Sequence, residues 1–420
     1  MRQRIAWWGL IIGLVVVGPW GSADPEVEHG WNQWGGQHRD GSAPDADVFG
    51  DTVVLKELWR SEVDEGISAL VVRGDRLFSL ASVDLEDHLF ALDASTGKEL
   101  WRVPMGTRER DLTFGAASTV ATDGEWVYAL SPGCTLSARS VADGKARWSH
   151  DLKAKYETGA MKSGCWTSPL LADGLVVVQV NGEPDKRVVA FDKATGEERW
   201  SSAGTERSVR SSPAMAKFGG IPQVVVHERN RQGLGGLYGL GLEDGALLWT
   251  LRLEGAESYG YDTPLVIEDD RLAVVTWNDL RLVEVHSQEG KLTAKAGWAS
   301  QDIRSEVQPY NFHAVYHQGH LYGFGGDFLM CLDVATGEVK WSEKIYPGSL
   351  IIADGHLVVL SQAAGLVRVV EASPKAYHEK FQLEVFNPGA PTDTPPTLAN
   401  GRIYLRNSEE MVALEINAGD

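Results

Sequence analysis

The sequence predicts an all-β chain folded as an eight-bladed β-propeller, with four antiparallel strands to a blade and the ring closed by a strand from near the amino terminus. Three observations carry that prediction. A turn glycine stands four residues before a tryptophan at Gly97/Trp101, Gly144/Trp148, Gly196/Trp200, Gly245/Trp249 and Gly337/Trp341. The fuller versions, ALDASTGKELW, AFDKATGEERW and CLDVATGEVKW, recur with short alternating apolar runs. Self-similarity at roughly 40 to 50 residues with that content marks a propeller rather than a helical solenoid. Finally, the chain ends on a three-strand remainder, while residues 53–60, VVLKELWR, are an orphan apolar run near its start.

Each repeat opens with an apolar run, crosses a tight turn and returns. Asp123-Gly124, Asp173-Gly174, Asp354-Gly355 and Asn400-Gly401 suit the positive φ angles of two-residue hairpins. A third run ends at Asp93, Asp192 or Asp333, whose carboxylates are placed to bond backbone amides while Gly97, Gly196 and Gly337 supply the left-handed residue. The fourth, outer strand carries a tryptophan that packs on the neighbouring blade; Trp59, Trp101, Trp148, Trp200, Trp249 and Trp341 are read as structural docking residues. On this register the blades cover residues 66–106, 114–153, 164–203, 209–254, 259–300, 310–345 and 348–386. The eighth begins near Pro395, takes strands around Thr397, at 402–406 and at 411–416, and borrows residues 53–60 as its outer strand, which removes two open sheet edges. Two blades look degenerate: Trp298 stands four residues late after Gly290, and Phe381 replaces tryptophan in blade seven.

Before the ring, residues 1–23 read as a signal peptide: Arg2 and Arg4, an apolar stretch over 5–20, then Gly21-Ser22-Ala23. The stretch is shorter than the roughly 20 residues of a spanning helix, and no cysteine follows it for lipid modification. Export to the periplasm or beyond is expected, with no stable membrane span in the mature chain. Residues 24–52, rich in Gly, Asp and Pro, are expected to be an irregular extension apart from packing by Trp31 and Trp34. The formal net charge of −19 argues against nucleic acid, whose binding rests on clustered Lys and Arg. Of three cysteines, Cys134 and Cys165 fall in loops on one face of adjacent blades, a geometry that permits a disulfide without establishing one. Cys331 lies inside a strand.

The repeated L-D-x-x-T-G-x-x-x-W resembles the pyrroloquinoline-quinone-type (PQQ-like) repeat over nearly all of residues 53–420, and so implies the quinoprotein alcohol dehydrogenase-like propeller. That fold group includes periplasmic quinone-dependent alcohol and glucose dehydrogenases and the non-enzymatic propeller lipoprotein of the outer-membrane β-barrel assembly machine. Trp31-Asn32-Gln33-Trp34-Gly35-Gly36 with Arg39-Asp40-Gly41, Ser211-Ser212-Pro213, and the stretches at 319–323 and 402–407 resemble an exported group whose members begin with a short tryptophan-rich segment. The dehydrogenases carry adjacent cysteines, calcium ligands, a catalytic Asp and long covering loops. This chain has no adjacent cysteines and is shorter, so PQQ with calcium lacks support from specific residues.

Loops entering the first strands converge on one channel mouth and are aromatic and polar: Phe114, Trp166, Arg210, Tyr259, Tyr261, Asp262, Tyr310, Asn311, Phe312, His313 and Tyr346. Trp166, Arg210, Tyr261, Asp262, Asn311 and His313 are the candidate ligand-binding set, since convergent aromatics with a few charges suit a small molecule or peptide. The same residues would also serve to rim an inert channel. His313, His317 and His320 form no recognisable metal set, because a turn separates the last two. Residues 233–241, GLGGLYGLG, lack the Lys-Ser/Thr of a phosphate loop and read as a glycine-rich strand turn. No nucleophile with its base is evident. The sequence thus favours a non-catalytic exported scaffold that binds an envelope protein or small ligand at one face, with a PQQ-dependent alcohol or sugar oxidoreductase as the alternative. If the mouth is functional, Arg210→Ala should abolish ligand or partner binding while thermal unfolding stays unchanged; lowered stability with intact binding would make Arg210 structural.

Overall fold

A computed structural model describes residues 30–43, 48–50, 52–108, 115–156, 164–180, 186–203, 211–229, 234–257, 263–276, 279–302, 314–389 and 392–418. Eight separate antiparallel sheets follow one another along the chain, each ordered from an inner to an outer strand. Blade one, for instance, comprises Val71–Arg73, Arg76–Val83, Glu86–Asp93 and Glu99–Thr107. Blade eight takes its outer strand, Val53–Glu62, from the beginning of the chain, where it pairs antiparallel with Glu410–Ala418. The fold is therefore the eight-bladed quinoprotein-like propeller, closed as the sequence predicts. One short helix, Leu152–Tyr156, follows blade two.

The repeat motif has a single geometric cause. In six of the eight blades the tryptophan of the outer strand lies on the third-to-fourth-strand turn of the next blade, and its indole N–H donates to a carbonyl in that turn. Trp59 reaches Ala94, Trp101 reaches Val141, Trp148 reaches Lys193, Trp200 reaches Leu242, Trp298 reaches Val334 and Trp341 reaches Ser373, all at 2.7–3.0 Å. The turn must be rigid and flat to receive the ring. In blade one Asp93 Oδ1 accepts the Ser95 and Thr96 N–H groups, each at 2.9 Å, and hydrogen bonding led by the Ser95 hydroxyl holds its carboxyl below the usual range. Gly97 sits at φ +70°, and a Cβ there would come within 2.6 Å of the Trp59 ring. Glycine is thus required both by the left-handed backbone and by the neighbour's indole. A bulge immediately before Trp59, Trp101, Trp148 and Trp200 twists the outer strand locally.

The apparent irregularities follow from the same rule. In blade five the third and fourth strands, Leu280–Gln288 and Lys291–Ser300, run on to a hairpin at Glu289-Gly290. The longer hairpin adds residues on both sides of the turn, so Trp298 is not displaced: it docks on Gly337 of blade six like the others. This corrects the reading of Trp298 as a late, degenerate position. The same extension removes the receiving turn for Trp249, because Val285 is now paired in the ladder opposite Ala294. Trp249 instead donates to Gln223 Oε1 within its own blade at 2.5 Å. Gly239, opposite Trp249, makes this possible, since any Cβ would fall inside the space held by the indole and the Gln223 amide. Residues 234–241 are accordingly a strand rather than the turn expected of GLGGLYGLG. Blade eight also lacks a third-to-fourth-strand turn, its two strands coming from opposite ends of the chain. Phe381 of blade seven therefore needs no N–H donor.

Before the ring, residues 30–43 run mostly through turns. Trp31 is buried and bridges Val72, and Ser42–Ala43 adds a parallel strand to the inner strand of blade seven, Gly348–Ala353. Backbone groups at the ends of the inner strands would otherwise lack partners, and this segment satisfies several of them.

Two substitutions test the docking account by thermal or denaturant unfolding. Trp200→Ala should cost roughly 3 to 5 kcal/mol, as for truncating a buried aromatic. Gly239→Ala should cost roughly 1 to 3 kcal/mol by forcing Trp249 off Gln223. An unchanged midpoint in both would show that the tryptophans are not packing elements.

Candidate functional site

The two mouths of the channel are built differently. At one, the first strands end in short turns beside the tryptophan docks. At the other, the first strands begin, and there the connecting loops vary in length and sequence. Of the candidate set, Trp166 belongs to the described residues and lies at this second mouth, just ahead of Leu170–Ala172. Arg210, Tyr261, Asp262, Asn311 and His313 lie outside the described residues, as do Phe114, Tyr259, Tyr310 and Phe312. Trp166 is 6% exposed, so its ring is largely built into the wall.

The loop carrying Trp166 is held on both sides. Cys165 is joined to Cys134 by a disulfide, with Cα atoms 5.1 Å apart, and its N–H donates to Pro132 O at 3.1 Å. Leu152 N–H donates to Cys134 O at 3.0 Å, which sets the helix against the same loop. Tyr156 closes that helix by donating to Glu198 Oε2 at 2.8 Å; burial and the adjacent carboxylate push its hydroxyl up, so it stays protonated. Neighbouring loops are also tied together. Asp87 accepts the Ser82 hydroxyl at 2.7 Å and the Gly133 N–H at 3.2 Å, while burial raises its carboxyl.

Inside this mouth runs a belt of hydroxyls that links blade to blade. Ala69 N–H donates to Thr119 Oγ1, Thr119 N–H to Ser168 Oγ, Ser168 N–H to Ser212 Oγ and Ser212 N–H to Thr263 Oγ1, at 2.9–3.3 Å. These contacts satisfy inner-strand amides that face a channel rather than another strand. Asp393, also at a blade entry, accepts from Gln362 Nε2 at 2.7 Å, and burial lifts its carboxyl above the usual range. Sequence reading missed the belt and Asp393. The available signal was the repeated Ser168-Pro169, Ser212-Pro213, Thr263-Pro264 and Thr394-Pro395, with Asp-Thr-Pro occurring at both 262–264 and 393–395.

Elsewhere on this face, Phe328 and Tyr346 are exposed by 39% and 59%. A hydrogen bond from Ile345 N–H to Asp327 O at 2.9 Å brings their backbones side by side. A cleft of about 620 Å³ is lined by Glu62, Val63, Asp64, Asn387, Ser408, Glu409 and Glu410. It lies over blade eight, away from Trp166, and two of its carboxylates are already paired: Asp64 with Arg102 and Glu410 with Arg60, both at 2.7 Å.

Among the described residues the donors do not compose a calcium–quinone site. Among the described residues no group of three or more His, Cys, Asp or Glu side chains could share a metal ion. The disulfide joins loops of two blades rather than adjacent residues, and Asp87 is committed to Ser82 and Gly133. His317 and His320 pair across a hairpin, where His320 Nδ1 lies 2.9 Å from Gln318 O; burial, then the second imidazole, lower the His317 pKa. Among the described residues no helix is long and apolar enough to cross a membrane.

These features define a PQQ-like eight-bladed propeller with one regular face and one face of tied, variable loops. The chain belongs to the family described as outer membrane protein assembly factor BamB, whose model matches residues 51–163, 110–343 and 222–376. It is 24% identical over 377 residues to outer membrane protein assembly factor BamB of Burkholderia pseudomallei (strain K96243), covering 85% of this chain and 87% of the relative. Its fold is similar to that of BamB from Moraxella catarrhalis, with a TM-score of 0.62, 15% identity, and coverage of 87% of this chain and 99% of that one. It is also similar in fold to a europium-containing methanol dehydrogenase, with a TM-score of 0.69, 10% identity, and coverage of 93% and 99%. A quinohemoprotein alcohol dehydrogenase from Comamonas testosteroni gives a TM-score of 0.65, 14% identity, and coverage of 93% and 82%.

Replacing Cys134 by Ser should lower stability by about 3 to 4 kcal/mol on the loop-entropy estimate for this separation. Reductant should shift the unfolding midpoint of the parent chain by the same amount and leave that of Cys134→Ser where it is.

Proposed function

We propose that the chain is a non-catalytic envelope scaffold that presents its loop face to another envelope protein or a small ligand. The observation that carries this reading is the exposed aromatic pair Phe328 and Tyr346 on a face whose loops are otherwise cross-tied. Aromatic side chains left in water on a rigid surface are favourable anchors for a partner. Family membership supports the reading, because the named relatives are assembly factors. Residues 1–23 are proposed to direct export, and the Cys134–Cys165 bridge suits an oxidising compartment. The candidate residues Trp166, Arg210, Tyr261, Asp262, Asn311 and His313 are proposed to form the ligand-facing rim on the same side.

A quinone-dependent oxidoreductase is the second reading, favoured by the fold shared with the alcohol and methanol dehydrogenases. At 10–14% identity that likeness concerns the fold alone.

The two readings separate in paired experiments. Capture from the native envelope should recover a partner with the parent chain, and Phe328→Ala/Tyr346→Ala should reduce recovery roughly tenfold or more, as expected for hot-spot aromatics, without moving the unfolding midpoint. Dye-linked oxidation of alcohols or sugars appearing on addition of PQQ and calcium would overturn the scaffold reading.

A further inference from the structure

The amino-terminal segment makes contacts that a tether would not. Trp31 and Val72 exchange both backbone hydrogen bonds at 2.9 Å, at the end of the inner strand of blade one. Thr122 N–H of blade two donates to Asn32 O at 2.8 Å. In blade three, Leu171 N–H donates to Gln33 Oε1 at 3.4 Å, and Arg39 donates to Pro169 O at 2.8 Å and Ser168 O at 3.4 Å. The chain then reaches blade seven, where Ile352 N–H donates to Gly41 O at 2.8 Å and Ser42 and Ala43 pair with Ile352 and Ala353. Blades three and seven stand opposite one another in a ring of eight, so the segment crosses the channel on a diameter.

Its internal structure is that of a compact unit. Gly36 N–H donates to Gln33 O, Arg39 N–H to Gly36 O and Gly41 N–H to Gly35 O, at 3.0–3.2 Å. Gly35, Gly36, Arg39 and Gly41 all have φ between +60° and +80°, which coils the chain tightly enough to fit the channel. A Cβ on Gly36 would stand 3.2 Å from both the Trp31 ring and Ser42 O, atoms of the segment itself. Arg39 is 2% exposed, and among the described residues its hydrogen-bond partners are neutral oxygens, Gln33 Oε1 at 3.3 Å being the third. A guanidinium buried among these neutral oxygens depends on each of those bonds.

We propose that residues 30–43 form a diametric plug that closes the mouth where the first strands end, locks blade three to blade seven and opens as one cooperative unit. Access to the channel is then from the opposite mouth, the one carrying Trp166.

Hydrogen exchange of the full chain, read by mass spectrometry, tests it. The amides of Val72, Thr122 and Ile352, three blades apart at the widest, should open at one common rate in the parent chain. Arg39→Ala should raise that common rate about ten- to a hundredfold, the loss expected for hydrogen bonds to a charged group, while strand amides of Arg271–Val275 in blade five keep theirs. Gly36→Ala touches none of the blades and should accelerate the same three amides. Unrelated rates in the parent chain, or rates indifferent to Gly36→Ala, would overturn the proposal.

Discussion

The structure depends on an indole resting on a neighbour's turn. Sheets of four strands have little apolar surface of their own, and what makes eight of them one body is burial between blades. The tryptophan supplies both parts of the joint: a broad ring for the glycine to lie against and an N–H for the carbonyl that the turn leaves unpaired. Everything else in the repeat serves that contact. The aspartate stiffens the turn, the glycine clears the ring and the bulge twists the strand. Where the receiving turn is absent, the donor side changes with it. Trp249 turns to Gln223 over a glycine, and blade seven has Phe381.

Because those joints sit on one face, the two faces of the propeller are under different constraints. Loops on the docking side are held to a few turn types, and the amino-terminal plug packs among them. The opposite side carries no such requirement and accommodates a helix, a disulfide, buried carboxylates and two exposed aromatics. Loops on that face vary without disturbing what holds the ring together. The disulfide and the Asp87 bridge tie neighbouring loops of this face together.

Much of the site was only partly legible. Trp166 lies at the mouth where the first strands begin because its loop precedes a first strand, a matter of order along the chain. Its burial was not legible, since that depends on the helix and the disulfide packed beside it. The hydroxyl belt left a trace in the Ser-Pro and Thr-Pro pairs. Each hydroxyl's partner, however, belongs to the preceding blade about 50 residues away, and a local reading sees only an isolated serine. Asp393 was overlooked for the same reason: its environment is made by Gln362 and the ring, not by its sequence neighbours.

By itself the sequence determined the fold, the blade count and the closure by residues 53–60. These follow from periodicity and from counting strands, and both are local properties of a chain that repeats. The tertiary structure decided which departures from the repeat are real. Trp298 and Phe381 looked alike as defects, yet one docks in full register and the other faces a blade with no turn to receive an indole. It also decided that residues 30–43 are a channel-spanning element, because their meaning lies in hydrogen bonds to four blades that are brought together only when the ring closes.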